Sequence, residues 1–137
     1  MPYPVVIFSV DEIRGGITKK ILERNGFHVL LLNKILGLKD RIAGHAAGVV
    51  VFDTCRCLAE EVRHLKNLCG VLENRTVILL GDPTIIEGFQ GPNVSKDLCL
   101  SDPLDPDLIV SKVKEASLPI PPGPNPEKVT LEGELKE

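Results

Sequence analysis

The chain has no tryptophan, one tyrosine and four phenylalanines, too few aromatics for a platform on which bases could stack. It has no run or stripe of lysine and arginine. Its 16 basic residues stand against 19 acidic ones, a formal net charge of −3. The electrostatic footprint of a nucleic-acid-binding surface is therefore missing. No apolar stretch approaches the roughly 18 residues that a membrane-spanning helix needs. The N-terminus lacks a basic region followed by a long apolar segment and a cleavage site, so no secretory signal is read. The expectation is a cytoplasmic protein with neither nucleic acid nor membrane as its partner.

Cysteine is scarce, limited to Cys55, Cys57, Cys69 and Cys99. Only Cys55 and Cys57 are close, and their one-residue gap does not match the two- to four-residue gap of common zinc sites. His28, His45 and His64 are scattered without ligand spacing. The expectation is free thiols in a reducing compartment, with Cys69 and Cys99 in the core. A metal or redox role for Cys55 and Cys57 is the alternative. Phosphate-cradling motifs are also missing. Arg14-Gly15-Gly16 is not a dinucleotide fingerprint, and Gly81-Asp82-Pro83 is not a P-loop. No nucleophile–base set can be assembled from the spacing of serine, cysteine and histidine.

What is present is a soluble, single-domain composition, with 137 residues, 43% hydrophobic and 26% charged. Short apolar runs alternate with amphipathic segments. Pro4 to Val10 reads as a first strand. Asp11 caps a helix in which Ile13, Ile17, Ile21 and Leu22 recur at helical spacing and Arg14, Lys19, Lys20 and Glu23 face water. Gly15 and Gly16 weaken its first turn, and Asn25-Gly26 ends it. Phe27 to Leu32 is a second strand. A second helix is expected within residues 34–47, broken by Gly37 and Gly44. Gly48 to Phe52 is a third strand.

Leu58, Val62, Leu65, Leu68, Cys69 and Leu72 form one stripe of a third helix. Thr76 to Leu80 is a fourth strand. Residues 81–96 are rich in glycine and proline and admit only a helical turn, near Ile85 to Phe89. Leu98-Cys99-Leu100 is a short fifth strand. Asp105 caps a last helix with Pro106 at its first position. The alternation predicts an α/β fold, one doubly wound parallel sheet with helices on both faces. This domain spans residues 1–117. Leu118 to Pro126 then has five prolines in nine residues, a semi-rigid linker followed by a polar tail.

Asp53 follows the third strand directly. An acid there stands at the carboxyl end of a buried strand, where open α/β sheets place their ligand sites. The element order, the position of Asp53, the segment from Leu100 to Val113 and the segment from Ile21 to Val29 resemble the receiver (CheY-like) domain of bacterial response regulators. The resemblance covers residues 4–117. It implies five parallel strands in the order 2-1-3-4-5, a flavodoxin-like arrangement, with Asp53 at the phosphoacceptor position.

The rest of the family's site is altered. Two acids after the first strand normally hold Mg²⁺. The matching residues are Ser9 and Val10, with Asp11 next along. The serine or threonine after the fourth strand is Gly81. The switch aromatic of the fifth strand is Cys99. The lysine of the usual Lys-Pro pair is Asp102, ahead of Pro103, an anion where the family has a cation. Such a replacement shifts the interaction with a phosphoryl group by several kcal/mol at an effective dielectric of about 20.

The resemblance thus implies a degenerate pseudo-receiver: a non-enzymatic signalling module of a two-component-type system, with no cofactor, acting by protein contact. Asp53 then reads as a strand-end acid, solvated or capping the next turn. The first alternative is a phosphorylatable receiver that uses Asp53 and Mg²⁺, with Asp11 and Asp53 as metal ligands. The second is a small metal-dependent enzyme on the same fold. Asp11, Asp53, Asp82 and Asp102 could converge at the carboxyl edge of the sheet for this purpose. The family's partner face, helix four with strand five and helix five, runs here from about Ile85 to Ala116. Exposed Ile85, Ile86, Phe89 and Val94 are expected on it, to meet a protein partner or a second copy. The bland reading is that these four residues close the sheet edge.

Overall fold

β-Branched or leucine-rich runs form four of the five strands, because such side chains pack well on a pleated surface that is buried from both sides. In the computed structural model, residues 3–45, 47–72, 74–89 and 94–117 are described. Strand β1 (Tyr3–Ser9) leads to helix α1 (Glu12–Arg24), β2 (Phe27–Leu32) to α2 (Leu38–Ala43), and β3 (Val49–Asp53) to α3 (Ala59–Cys69). Then β4 (Thr76–Gly81) leads to the short α4 (Pro83–Ile86), and β5 (Cys99–Ser101) to α5 (Pro106–Ser117). All pairings are parallel, in the order β2-β1-β3-β4-β5. The doubly wound sheet expected from the alternation is therefore present. The proline-rich segment and polar tail, 118–137, lie outside the described residues.

Successive strand residues point to opposite faces, so the sheet divides the core into two layers. Val6, Phe8, Val50, Phe52, Val77 and Leu79 pack beneath α2, α3 and α4, against Ile42, Leu65, Leu68 and Ile86. Val5, Ile7, Val49, Val51, Ile78 and Leu80 pack beneath α1 and α5, against Leu22, Ile109 and Val113. β3 is buried at every position. Its carboxyl end brings Asp53 out at the centre of the sheet edge, between Ser9 of β1 and Leu80 of β4.

Several elements differ from the sequence expectation. α2 is six residues long, because Gly37 adopts φ 75° before it and Gly44 ends it. The fifth strand begins at Cys99, since residues 96–98 wind as a 3₁₀ turn. The largest correction concerns α1. Ile13 is 78% exposed and Ile17 51%, while Gly15, Thr18 and Leu22 are buried. Arg14, expected on the wet side, turns inward. The cause lies at its carboxyl-edge end. Gly15 lets the helix approach β1 so closely that a Cβ there would stand 3.0 Å from Ser9 Cβ and 3.1 Å from Leu31 Cδ1.

Candidate functional site

Asp53 is only 1% exposed, so it is not solvated as an isolated strand-end acid would be. Its oxygens are engaged instead. Oδ1 accepts from the Cys55 backbone N–H at 3.1 Å, the turn-capping contact expected of it. Oδ2 accepts from Arg14 Nε at 2.8 Å and from Ser9 Oγ at 3.0 Å. Ser9 Oγ also lies 3.0 Å from the Asp11 carbonyl, and its single proton serves one acceptor at a time. Burial pushes the Asp53 carboxyl above its usual range. The Cys55 N–H, the Arg14 charge and the Ser9 hydroxyl work against that rise without cancelling it.

Arg14 is the third residue of α1. Asp11 Oδ1 caps that turn by accepting from the Arg14 backbone N–H at 3.1 Å. The guanidinium is a rigid planar fork. While Nε reaches Asp53, Nη2 donates to Asp102 Oδ1 at 2.6 Å. One cation from α1 thereby joins the ends of β3 and β5. Burial opposes the Arg14 charge, but the hydrogen bond to Asp102 and the two carboxylates outweigh it and raise the Arg14 pKa. A unit pair about 4 Å apart at an effective dielectric near 20 is worth about 4 kcal/mol. That is enough to offset much of the cost of burying Asp53.

The other positions singled out in the sequence lie around this tie. Ser9 lies level with Asp53 in the strand register. Val10 is half-buried against the core and carries no oxygen on its side chain. Gly81 has φ 139°, and a Cβ on it would stand 2.0 Å from Thr54 Oγ1. Thr54 is buried, and its hydroxyl donates to the Leu80 carbonyl at 2.8 Å. The Thr54 hydroxyl beside position 81 thus faces the backbone. Cys99 is half-buried, with Sγ 3.3 Å from the Ser95 carbonyl. Asp82 is drawn away as the cap of α4: Thr84 Oγ1 and N–H both donate to it and hold its pKa below the usual range.

These residues do not fit a divalent cation. Two of the four candidate acids, Asp53 and Asp102, meet through Arg14, whereas Asp11 and Asp82 cap helices. Among the described residues no group of three or more histidine, cysteine, aspartate or glutamate side chains is arranged to hold a metal ion. Cys55 and Cys57 are free thiols. Burial raises the Cys55 pKa and pushes that of Cys57 up to about 12. Thiols that hold their protons are poor ligands and weak nucleophiles. Burial likewise pushes Cys69 up to about 11. Cys69 is in the core as expected, but Cys99 lies at its edge.

The expected exposed apolar patch is also corrected. Ile86 and Phe89 are buried, at 3% and 4% exposure, and Ile85 and Val94 are half-buried against the same core layer. The α4 helix has only four residues, so its apolar side chains fold onto the sheet edge and close it. Lys66 of α3 covers the Phe89 ring, with Nζ 5.9 Å from its centroid. A groove of about 560 Å³ remains between α4 and β5, lined by Pro83, Phe89, Val94, Lys96 and Cys99 among others.

Sequence reasoning missed Arg14, Gly15 and Thr54. A signal for Arg14 was available. An anion at position 102 beside a buried acid demands a cation from another element. Arg14, one turn into the helix that leaves the same sheet edge, is well placed to supply it.

No family model and no curated protein matches the sequence. Solved structures do match the fold. A response regulator from Thermotoga maritima is 17% identical, with 85% of this chain and 98% of that one covered and a TM-score of 0.58. The chemotaxis response regulator CheY4 of Vibrio cholerae is 10% identical, with 85% and 99% covered and a TM-score of 0.63. The beryllofluoride-activated NtrC4 receiver domain, solved as a dimer, is 16% identical, with 83% and 95% covered and a TM-score of 0.60. At these identities the likeness establishes the fold: a receiver-domain fold, with the sheet order and flanking helices of the CheY-like arrangement.

Proposed function

We propose that this chain is a non-enzymatic signalling module on the receiver fold. It acts by contact with a protein partner or a second copy, without taking up a phosphoryl group on Asp53 and without a metal. The observation that carries this reading is the state of Asp53. A carboxylate that attacks a phosphodonor needs a free oxygen at an open edge and a metal to neutralise the incoming charge. Both Asp53 oxygens are already hydrogen-bonded, and Arg14 lies over one of them. The half-open groove between α4 and β5 is the natural contact face on this reading. A receiver relative that forms a dimer supports self-association as one mode of action. No helix among the described residues is long and apolar enough to cross a membrane, which agrees with a cytoplasmic role.

The test is incubation of the protein with acetyl phosphate, or with beryllofluoride, in the presence of Mg²⁺. Intact mass and amide NMR are the readouts. The expected outcome is an unchanged mass and no shifts centred on Asp53. A phosphoryl adduct on Asp53 would restore the phosphorylatable-receiver reading.

A further inference from the structure

We infer that the outer edge of β2 is a strand-docking surface and that its occupant is a segment of this same chain. Residues 128–132 add a sixth strand parallel to β2, and the acids that follow settle on the basic turn at its carboxyl end. This goes beyond the functional reading above and does not depend on the state of Asp53.

β2 is one of the two edges of the sheet, and the other, β5, is only three residues long. Edge strands are commonly guarded by a lysine, a proline or a bulge. Phe27–Leu32 reads FHVLLL, with neither lysine nor proline, and its register with β1 is unbroken. Outside that pairing, residues 28–32 make no backbone hydrogen bond among the described residues. The N–H and C=O groups that point away from β1 are therefore open to an incoming strand.

The chemistry at the carboxyl end of β2 narrows the occupant. Residues 33–41 carry Lys34, Lys39 and Arg41 against one acid, Asp40. Lys34 and Arg41 are exposed and form no ion pair among the described residues. With Leu31, Leu32, Leu36 and Leu38 they line a depression of about 230 Å³, and Leu36 is 93% exposed. The end of the chain has the complementary pattern. In Lys128-Val129-Thr130-Leu131-Glu132 apolar and polar residues alternate, two of them β-branched, as in a strand. Glu132, Glu134 and Leu135 then offer two anions and an apolar side chain.

The topology allows the connection. α5 runs back from the carboxyl edge, so Ser117 ends at the amino edge, where β2 begins. A strand entered from there is parallel to β2 and brings its later residues to Lys34 and Arg41. α5 packs over β3 and β4, so the outer side of β2 is three to four strand spacings away, roughly 15–20 Å. The nine residues Leu118 to Pro126 span about 28 Å as polyproline II. α5 shares a face of the sheet with α1. The crossover therefore has the hand of β1-α1-β2, the right-handed one that parallel connections take.

The experiment measures backbone amide exchange of the full chain by ¹⁵N NMR, at two protein concentrations, beside Val129→Pro and Thr130→Pro. Alternate residues of the added strand donate to β2, so one of the two prolines removes a ladder bond in either register. Alternate amides in 128–132 and in β2 are expected to be protected at least about tenfold over unstructured rates, at both concentrations. At least one proline variant should lose protection in both segments while β3 and β4 keep theirs. Lys34→Glu with Arg41→Glu should lower the same protection, and adding Glu132→Lys with Glu134→Lys should restore it. Three results would overturn the inference. The first is exchange of residues 128–132 at unstructured rates. The second is a protected segment whose loss in both proline variants leaves β2 unchanged, which seats it elsewhere. The third is β2 protection that grows with concentration and survives both prolines, which makes a second copy the occupant. Protection indifferent to all four charge changes overturns the basic turn as its anchor.

Discussion

Burying a carboxylate costs several kcal/mol unless it is paired and hydrogen-bonded, and Asp53 is both. Its pKa is nevertheless raised from the ordinary 3.8, first because of burial. The sign of the resulting pH dependence follows. The folded state holds the proton to a higher pH than the unfolded chain does, so it binds more protons between the two values. Stability contributed by Asp53 is therefore highest below the ordinary value, falls as pH rises through the window up to the raised one, and is level above it. Asp53→Asn removes this slope. Urea midpoints measured across that window should show the unaltered protein losing ground to Asp53→Asn as pH rises, with the gap constant near neutrality. A gap that moves the other way would mean that Arg14 and Cys55 outweigh burial.

At the scale of elements, the ends of strands and helices decide what the edge can do. α5 begins as its sequence dictates: Asp105 Oδ1 accepts from the N–H groups of Asp107 and Leu108, with Pro106 in the first turn. The end of β4 is less obvious. Gly81 at φ 139° sits in a region that disfavours side chains, and Thr54 fills the space that a Cβ would need. A hydroxyl-bearing side chain at this position meets that steric limit. Gly81→Ser is expected to destabilise the fold by about 2 kcal/mol or more. Adding Thr54→Ala should recover part of the loss, because it relieves the clash but leaves the backbone strain. Chemical denaturation of these two variants beside the unaltered protein checks this, and a neutral Gly81→Ser would sink it. α1 shows the limit of periodicity. The spacing of Ile13, Ile17, Ile21 and Leu22 is helical, but which side faces the core depends on Gly15 and Arg14 meeting Ser9 and Asp53.

Across the whole molecule, one sheet separates two apolar layers, and helices close each of them. Leu65 of α3 is fully buried in one layer and Ile109 of α5 in the other. Leu65→Ala is expected to cost about 2–5 kcal/mol and Ile109→Val about 1 kcal/mol. Because the two sites share no layer, the double variant should equal the sum within about 0.5 kcal/mol. Unfolding should remain a single transition, since every strand contributes to both layers. A coupling well beyond that margin in urea melts would mean that the sheet transmits packing strain from face to face.

The alternation of strands and helices, the start of α5, the burial of β3 and the place of Asp53 follow from local patterning. Apolar run length, capping residues and strand-end position are written in neighbouring residues. Reading Ser9, Val10, Gly81 and Asp102 as departures from a receiver pattern rested on the resemblance, once the strands had set their spacing. The tertiary structure alone decided that Arg14 points inward, that Thr54 fills the space beside Gly81, and that Ile86 and Phe89 close the edge of the sheet. Each of these depends on residues tens of positions apart in the chain. Arg14 and Asp102 are 88 positions apart, and only folding brings a charge from α1 to a carboxylate at the end of β5.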